Sequence, residues 1–452
     1  MCALCARVAK AGPILVTLLT PASLYDAAKA ELARNFQSGE DESLSRVRIV
    51  AVERGKVVLM ETIPSSFISA YRDIFSGKEL VCARTGQGVP PVLPPKAVII
   101  ECFAYEAVRD IRDISGTTAK VYAWVPSMIS VLFYYTFGPE GVDGGVSLHA
   151  KAEAEALRSG REYAEVAHEL VMRGRGDVVR VPGLPPMYDY EYHPQHIPLF
   201  DAINCAYLAR TYDTILLSDG ALVATPEAYE RQAVAAVRKW FGELQKPVYV
   251  IGPLQPSGTQ AAIVYEKAQA PQIREIETFL DNTLRNFGER SLLYISFGSM
   301  FWPVVAPENL WTFLDVVMDL KIPFLLSHVS PFAIIPGTVK DKYVAETSAD
   351  QPLNAVHLVE NFGAAYELLE VRTGQGLKPI YRTGKTPAGT VEAVEAEARD
   401  VLTRAFGEDG VRKRAHLIQL RKEVLQAWSD PVDGDSGGSS RKDLMTFVKS
   451  LV

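Results

Sequence analysis

Short apolar runs alternate along this chain with stretches of helical spacing. Residues 14–19, 47–52, 96–103, 120–125, 214–218, 248–251, 292–296 and 322–326 read as strands. Residues 2–10, 60–80, 151–172, 198–211, 225–244, 272–287, 307–320, 351–370, 389–428 and 441–452 read as helices, as do a segment capped by Ser23 and running through Asn35 and one running from the 96–103 strand through Ile114. Strand following helix in this way predicts an α/β fold with parallel sheets. The clearest unit runs from Ser291 to Pro303 and on into the next helix. Leu292 to Ser296 is apolar and reads as a buried strand. Pro307 suits a first helical position, and Leu310, Phe313, Leu314, Val317 and Leu320 then form one face. Gly298 and Ser299 therefore fall at the carboxyl end of a strand inside a βαβ unit, where open α/β sheets bind ligands. Gly298 lets a ligand approach the backbone, and Ser299 offers a hydroxyl and an N–H to an anion.

The pattern restarts near Lys246-Pro247, and Gly252-Pro-Leu-Gln-Pro-Ser-Gly258 suits a linker, so a boundary is expected at 240–260. At 452 residues the chain is too long for one core, which fits two or three domains. A net charge of −7 with no basic stripe argues against a nucleic-acid partner. No run of eighteen apolar residues suggests a membrane span, and residues 1–10 are too polar for a signal peptide. Five cysteines in this length point to a reducing, cytoplasmic setting. Cys2 and Cys5 spell Cys-x-x-Cys, but no second pair or histidine cluster follows, so no metal is expected.

Val248-Tyr-Val-Ile-Gly-Pro-Leu254, the Ser291 stretch, and Asp350-Gln351 followed by Asn354-Ala355, in this order, resemble UDP-dependent glycosyltransferases. Tyr122-Ala-Trp124, Phe137-Gly-Pro-Glu140 and Val371-Arg-Thr-Gly-Gln-Gly-Leu-Lys-Pro379 look most like the fungal branch. The resemblance covers nearly the whole chain. It implies the GT-B fold, two facing Rossmann-like domains: an acceptor domain at 1–245, a nucleotide-sugar domain at 246–435, and a helix at 436–452 that returns to the first domain. It implies inverting transfer of a hexose from a UDP-sugar co-substrate to a small lipophilic acceptor, with no cofactor. Gly298, Ser299, Asp350 and Gln351 match donor-binding positions. Trp124, Met128 and Phe133 fall where the family lines its acceptor pocket, though plain helix core explains each as well.

Two parts of the family pattern are missing. The family's base is a histidine after the first strand, oriented by a carboxylate from a later strand end. The first histidine here is His149, whereas Glu101 matches the carboxylate. Glu101 is then either half of a catalytic dyad or a strand-end acid satisfied by backbone. In the second half, residues 331–349 run directly into Asp350-Gln351, and the family's stacking tryptophan, phosphate-binding His-Cys-Gly-x-Asn-Ser run and ribose-binding glutamate have no counterpart. A strand and a helix of the second domain are expected to be lost with them. Both gaps have sharp edges, which fits dropped exons or a splice variant better than gradual decay. The competing reading is a non-catalytic binding or scaffold relative.

Other constellations carry less. Gly434-Asp-Ser-Gly-Gly438 spells a serine-protease motif, but in a polar loop of an α/β chain. No Gly-x-Gly-x-x-Gly occurs, which disfavours a nicotinamide or flavin enzyme. His193 and His196 lack a recognisable metal-ligand spacing, and the repeated Arg-Thr-Gly-Gln-Gly at 84 and 372 has unrelated flanks.

Overall fold

Among the described residues, six parallel strands build the first half of the chain, in two separate pieces. The computed structural model describes residues 1–53, 65–138, 145–172, 174–198, 204–255, 272–297, 301–327, 352–431 and 437–451. In one piece β1 (Val16–Pro21) pairs with β2 (Val47–Glu53). In the other, β3 (Ala97–Glu101), β4 (Lys120–Val125), β5 (Gly220–Val223) and β6 (Val248–Val250) lie side by side in chain order. Among the described residues no strand pairing joins β1 to β3. Short antiparallel ladders, Leu80–Val81 with Gly88–Val89 and Val178–Val179 with Met187–Tyr188, sit in the connections. The second half holds β7 (Leu293–Ser296) and β8 (Phe324–Ser327), again parallel, with the helices Pro307–Asp319 and Val391–Ala405 packed together through Val316, Val317, Ala398 and Leu402.

Alternation along β4 explains the two cores of the first half. Ala123 and Val125 face one side, with Ile129, Phe133, Val223, Val237 and Trp240. Tyr122 and Trp124 face the other, with Leu4, Val8, Leu222, Tyr249 and Phe447. Phe447 belongs to the last helix, Ser439–Leu451, so the end of the chain packs on the first sheet. Its ring stands edge-on to Tyr122 at 5.0 Å and Tyr249 at 5.4 Å. Asp443 on the same helix accepts from Val250 N–H at 2.7 Å and covers the outer edge of β6.

Several expectations are corrected. Residues 214–217 are helix (Thr211–Leu217), not strand, and Ser218 follows as its cap. Lys246 donates to the carbonyls of Ile215 at 2.9 Å and Ser218 at 2.6 Å, and a cation at a helix C-terminus holds this apolar run helical. The strand follows at Gly220, where a side chain would meet Pro247 O at 2.6 Å. The strand at 248–250 closes the first sheet rather than opening the second. Residues 151–172 form two helices, Leu148–Ser159 and Tyr163–Met172, because Gly160 takes a left-handed φ of +68°. Of the expected helix at 351–370, residues 352–370 are helical only over Pro352–Val356 and the π turn His357–Asn361. Ser23 lies in a 3₁₀ turn ahead of the helix Tyr25–Ala33 and is not its cap. β7 is not buried: Tyr294 is 57% exposed.

Candidate active site at the carboxyl edge of the first sheet

Glu101 ends β3, directly beside Trp124 near the end of β4. The chain then turns tightly: Cys102 N–H donates to Trp124 O at 2.9 Å and Ala104 N–H to Glu101 O at 3.0 Å, which starts the helix Tyr105–Ser115. This leaves the carboxyl of Glu101 at the sheet's carboxyl edge. The Cys102 thiol lies 3.5 Å from Glu101 Oε1, and this is a weak bond. Burial pushes Glu101 up to about 7, and its contacts with Cys102 offset only part of that. Cys102 is itself buried and shifted well above the usual thiol range, first by desolvation and then by the charge of Glu101. Tyr207 lies near enough to feel the same charge; burial, Cys205 and Glu101 together raise it to about 12.

A carboxyl titrating near neutrality at a sheet edge can take or give a proton. Among the described residues no imidazole hydrogen-bonds to it. His149 bonds Tyr163 OH at 2.8 Å, His168 accepts from Cys205 N–H at 3.0 Å, and His357 contacts Tyr229 O at 2.6 Å.

The neighbouring loop 126–128 leads into the helix Ile129–Phe137. Its N-terminus is held by Glu230, whose buried carboxylate accepts from Ile129 N–H at 2.8 Å, Ser130 N–H at 3.2 Å and Ser130 Oγ at 3.1 Å. Burial still raises Glu230 above the ordinary glutamate value, the donors notwithstanding. Ser127 Oγ in this loop is buried without a hydrogen-bond partner among the described residues. Glu230 was not legible in the sequence, because it lies about a hundred residues from the helix it caps.

Trp124 is buried with Tyr122, Leu222 and Tyr249, and Met128 is buried at the helix start. Phe133 is fully buried between Phe137 and Trp240, ring centroids 6.4 and 5.8 Å away, so it is core in this structure. Trp124 and Glu101 are therefore brought together, and Phe133 is one helical turn beyond Met128. Gly298, Ser299, Asp350 and Gln351 lie outside the described residues. No cluster of metal-binding side chains occurs among the described residues, and no described helix is long and apolar enough to cross a membrane.

No family model matches the sequence. The chain is 26% identical to the UDP-glycosyltransferase eriJ of Hericium erinaceus, over 96% of this chain and 92% of that protein. Its fold matches a UGT transferase from Siraitia grosvenorii in complex with UDP, with a TM-score of 0.59 at 16% identity over 99% and 96% of the two chains. It also matches a Polygonum tinctorium UDP-glucosyltransferase capable of glucosylating indoxyl, with a TM-score of 0.56 at 17% identity over 97% and 99%. The structural likenesses carry the fold, and the likeness to eriJ is one of sequence over nearly the whole chain. On both counts the chain is a UDP-glycosyltransferase-like protein with the GT-B fold.

Proposed function

We propose that this chain descends from an inverting UDP-hexosyltransferase acting on a hydroxyl of a small lipophilic acceptor, and that these 452 residues hold the dyad acid without its base and do not turn over. The observation that carries this is Glu101: a desolvated carboxyl at the right sheet edge, raised to about 7, with the Cys102 thiol as its side-chain partner. A protonated histidine beside it would pull that value down.

The split sheet supports the same reading. In a doubly wound sheet the strands run 3-2-1-4-5-6. We read β2-β1 as 3-2 and β3-β4-β5 as 4-5-6, with β6 added beyond them, which leaves strand one without a counterpart among the described strands. The loop after that strand would fall next to Glu101. The alignment with eriJ also spans 499 positions, more than the 452 residues of this chain, so the relative carries segments with no counterpart here.

We assign Trp124, Met128 and the unpartnered Ser127 hydroxyl to the acceptor side, with Phe133 supporting them from the core. Gly298, Ser299, Asp350 and Gln351 are assigned to the donor. The acceptor domain is taken to end after β6, because β6 is hydrogen-bonded to β5. All five cysteines are free, which supports a cytoplasmic setting.

The test is a transfer assay with radiolabelled UDP-glucose and a panel of phenolic and sterol acceptors. Transfer at the enzyme-free rate is expected, since general-base catalysis alone contributes about 10²–10⁴-fold. Transfer above that rate, abolished by Glu101→Gln, overturns the inactivity. The orphaned Ser127 hydroxyl favours a second reading, a non-catalytic acceptor-binding relative. That reading predicts aglycone binding by calorimetry with no dependence on UDP-sugar.

A further inference from the structure

Residues 362–389 are almost free of regular structure, holding only the 3₁₀ turn Gly374–Leu377, yet Glu370, Arg372, Thr373, Gly376 and Ile380 within it are buried. A loop of this length in a compact protein usually has a task. Here it is ordered by side chains from elsewhere. Glu191, from the first half, is fully buried; its carboxylate accepts from Tyr188 N–H and Tyr381 N–H, each at 3.0 Å. Arg382 lies 3.4 Å from Glu191, 2.7 Å from Glu367 and 3.2 Å from Glu360. Arg372 also pairs with Glu367 and lies 3.9 Å from Glu191. Around this knot the backbones interlock. Thr373 N–H donates to Pro194 O at 3.1 Å, His196 N–H to Thr373 Oγ1 at 2.7 Å, and Gln195 Nε2 to Val371 O at 2.9 Å. Tyr190 OH donates to Pro379 O.

The glycines of Arg372-Thr-Gly-Gln-Gly376 are explained by this contact. A side chain at Gly376 would lie 2.2 Å from Pro194 O, and Gly374, at φ +56°, sits 3.1 Å from His196 Cβ by the same measure. The same five residues at 84–88 do something else. They turn the short hairpin from Leu80 to Val89, and a side chain at Gly86 would meet open space.

We propose that residues 362–389 are a clasp: a segment of the second half folded onto the first by a buried charge cluster, so that the two halves form one cooperative unit at this edge. Next to it, His357 and Asn361 bond Tyr229 O and Gly183 O at 2.6 Å each, and Val356 enters the first core, which extends the same seam.

Native-state hydrogen exchange on the full chain tests this with a built-in control, because Thr-Gly-Gln-Gly occurs in both places and has the same intrinsic rate. Amides at 373–376 are expected to exchange at least a hundredfold more slowly than those at 85–88, and as slowly as β4. Glu191→Ala and, independently, Gly376→Ala are expected to speed exchange over 366–385 at least tenfold while β4 is unchanged. A ratio near one between the two copies in the unmodified protein overturns the proposal. So do variants that speed exchange equally in both halves. Should Glu191→Ala fail to fold, the unmodified ratio and Gly376→Ala decide.

Discussion

Glu101→Gln separates the cost of burying this carboxyl from every other effect of the site. The carboxyl titrates at about 7 in the folded chain against an ordinary value of 4.5, and burial is the first cause. A folded-state value above the unfolded one means that the native chain holds the proton more tightly. Stability is therefore fully present below about pH 4.5, falls as pH rises to about 7, and stays reduced above that. The shift corresponds to roughly 3 kcal/mol, at about 1.4 kcal/mol per pH unit. Glutamine keeps the shape and stays neutral at every pH. The variant should match the parent near pH 4.5 and exceed it by up to roughly 3 kcal/mol at pH 8. In urea, with a slope of about 3 kcal/mol per M, that is a midpoint gain of about 1 M at pH 8 and almost none at pH 4.5. Tryptophan fluorescence reads the transition, since Trp124 stands beside Glu101 in the sheet. Equal shifts at both pH values, or none at pH 8, would refute the reasoning and mean that Glu101 is solvated or paired. The same variant bears on function, because a chain that supplied a cationic partner would lose stability on the change.

Phe447→Ala should cost about 3–5 kcal/mol by opening a cavity between Tyr122 and Tyr249, and should expose Arg441 and Lys442 to trypsin before the first sheet unfolds. Limited proteolysis followed by mass spectrometry checks the order of events. Asp219 behaves oppositely to Glu101: burial works against its charge, but Arg112 at 2.6 Å, Val121 N–H at 2.8 Å and Lys120 hold its carboxyl below the ordinary 3.8. Its stabilisation is present above pH 3.8 and is lost as pH falls through the depressed folded value. Asp219→Asn should remove about 1 kcal/mol at pH 6 and flatten the acid limb, as read from urea midpoints between pH 6 and pH 2.

Where local pattern and packing agree, the sequence was legible. Pro307–Asp319 carries its own starting proline and a clear apolar face, and Lys120–Val125 is a strand by composition alone. Thr211–Leu217 was misread because its β-prone residues are held in a helix by Lys246, some thirty positions on. The clasp was illegible for the same reason at larger scale: its order comes from Glu191 and Pro194, almost two hundred residues away. For the site, the placing of Glu101 at a strand end followed from the run Ala97–Glu101. Its desolvation and the support from Glu230 depend on tertiary packing, and no periodicity reports them.

The divided first sheet has a consequence for handling the protein. β3 reads Ala-Val-Ile-Ile between Lys96 and Glu101, and its outer side has no strand partner among the described residues. A strand edge without a strand partner is adhesive toward an extended chain, and charges at its ends, here Lys96 and Glu101, guard it. Glu101 is half-neutralised near pH 7, so one guard weakens at the pH where the protein would be handled. Concentrated preparations should therefore stay dispersed above pH 8 and clump as pH is lowered toward 6, the reverse of the order in which folding itself gains strength.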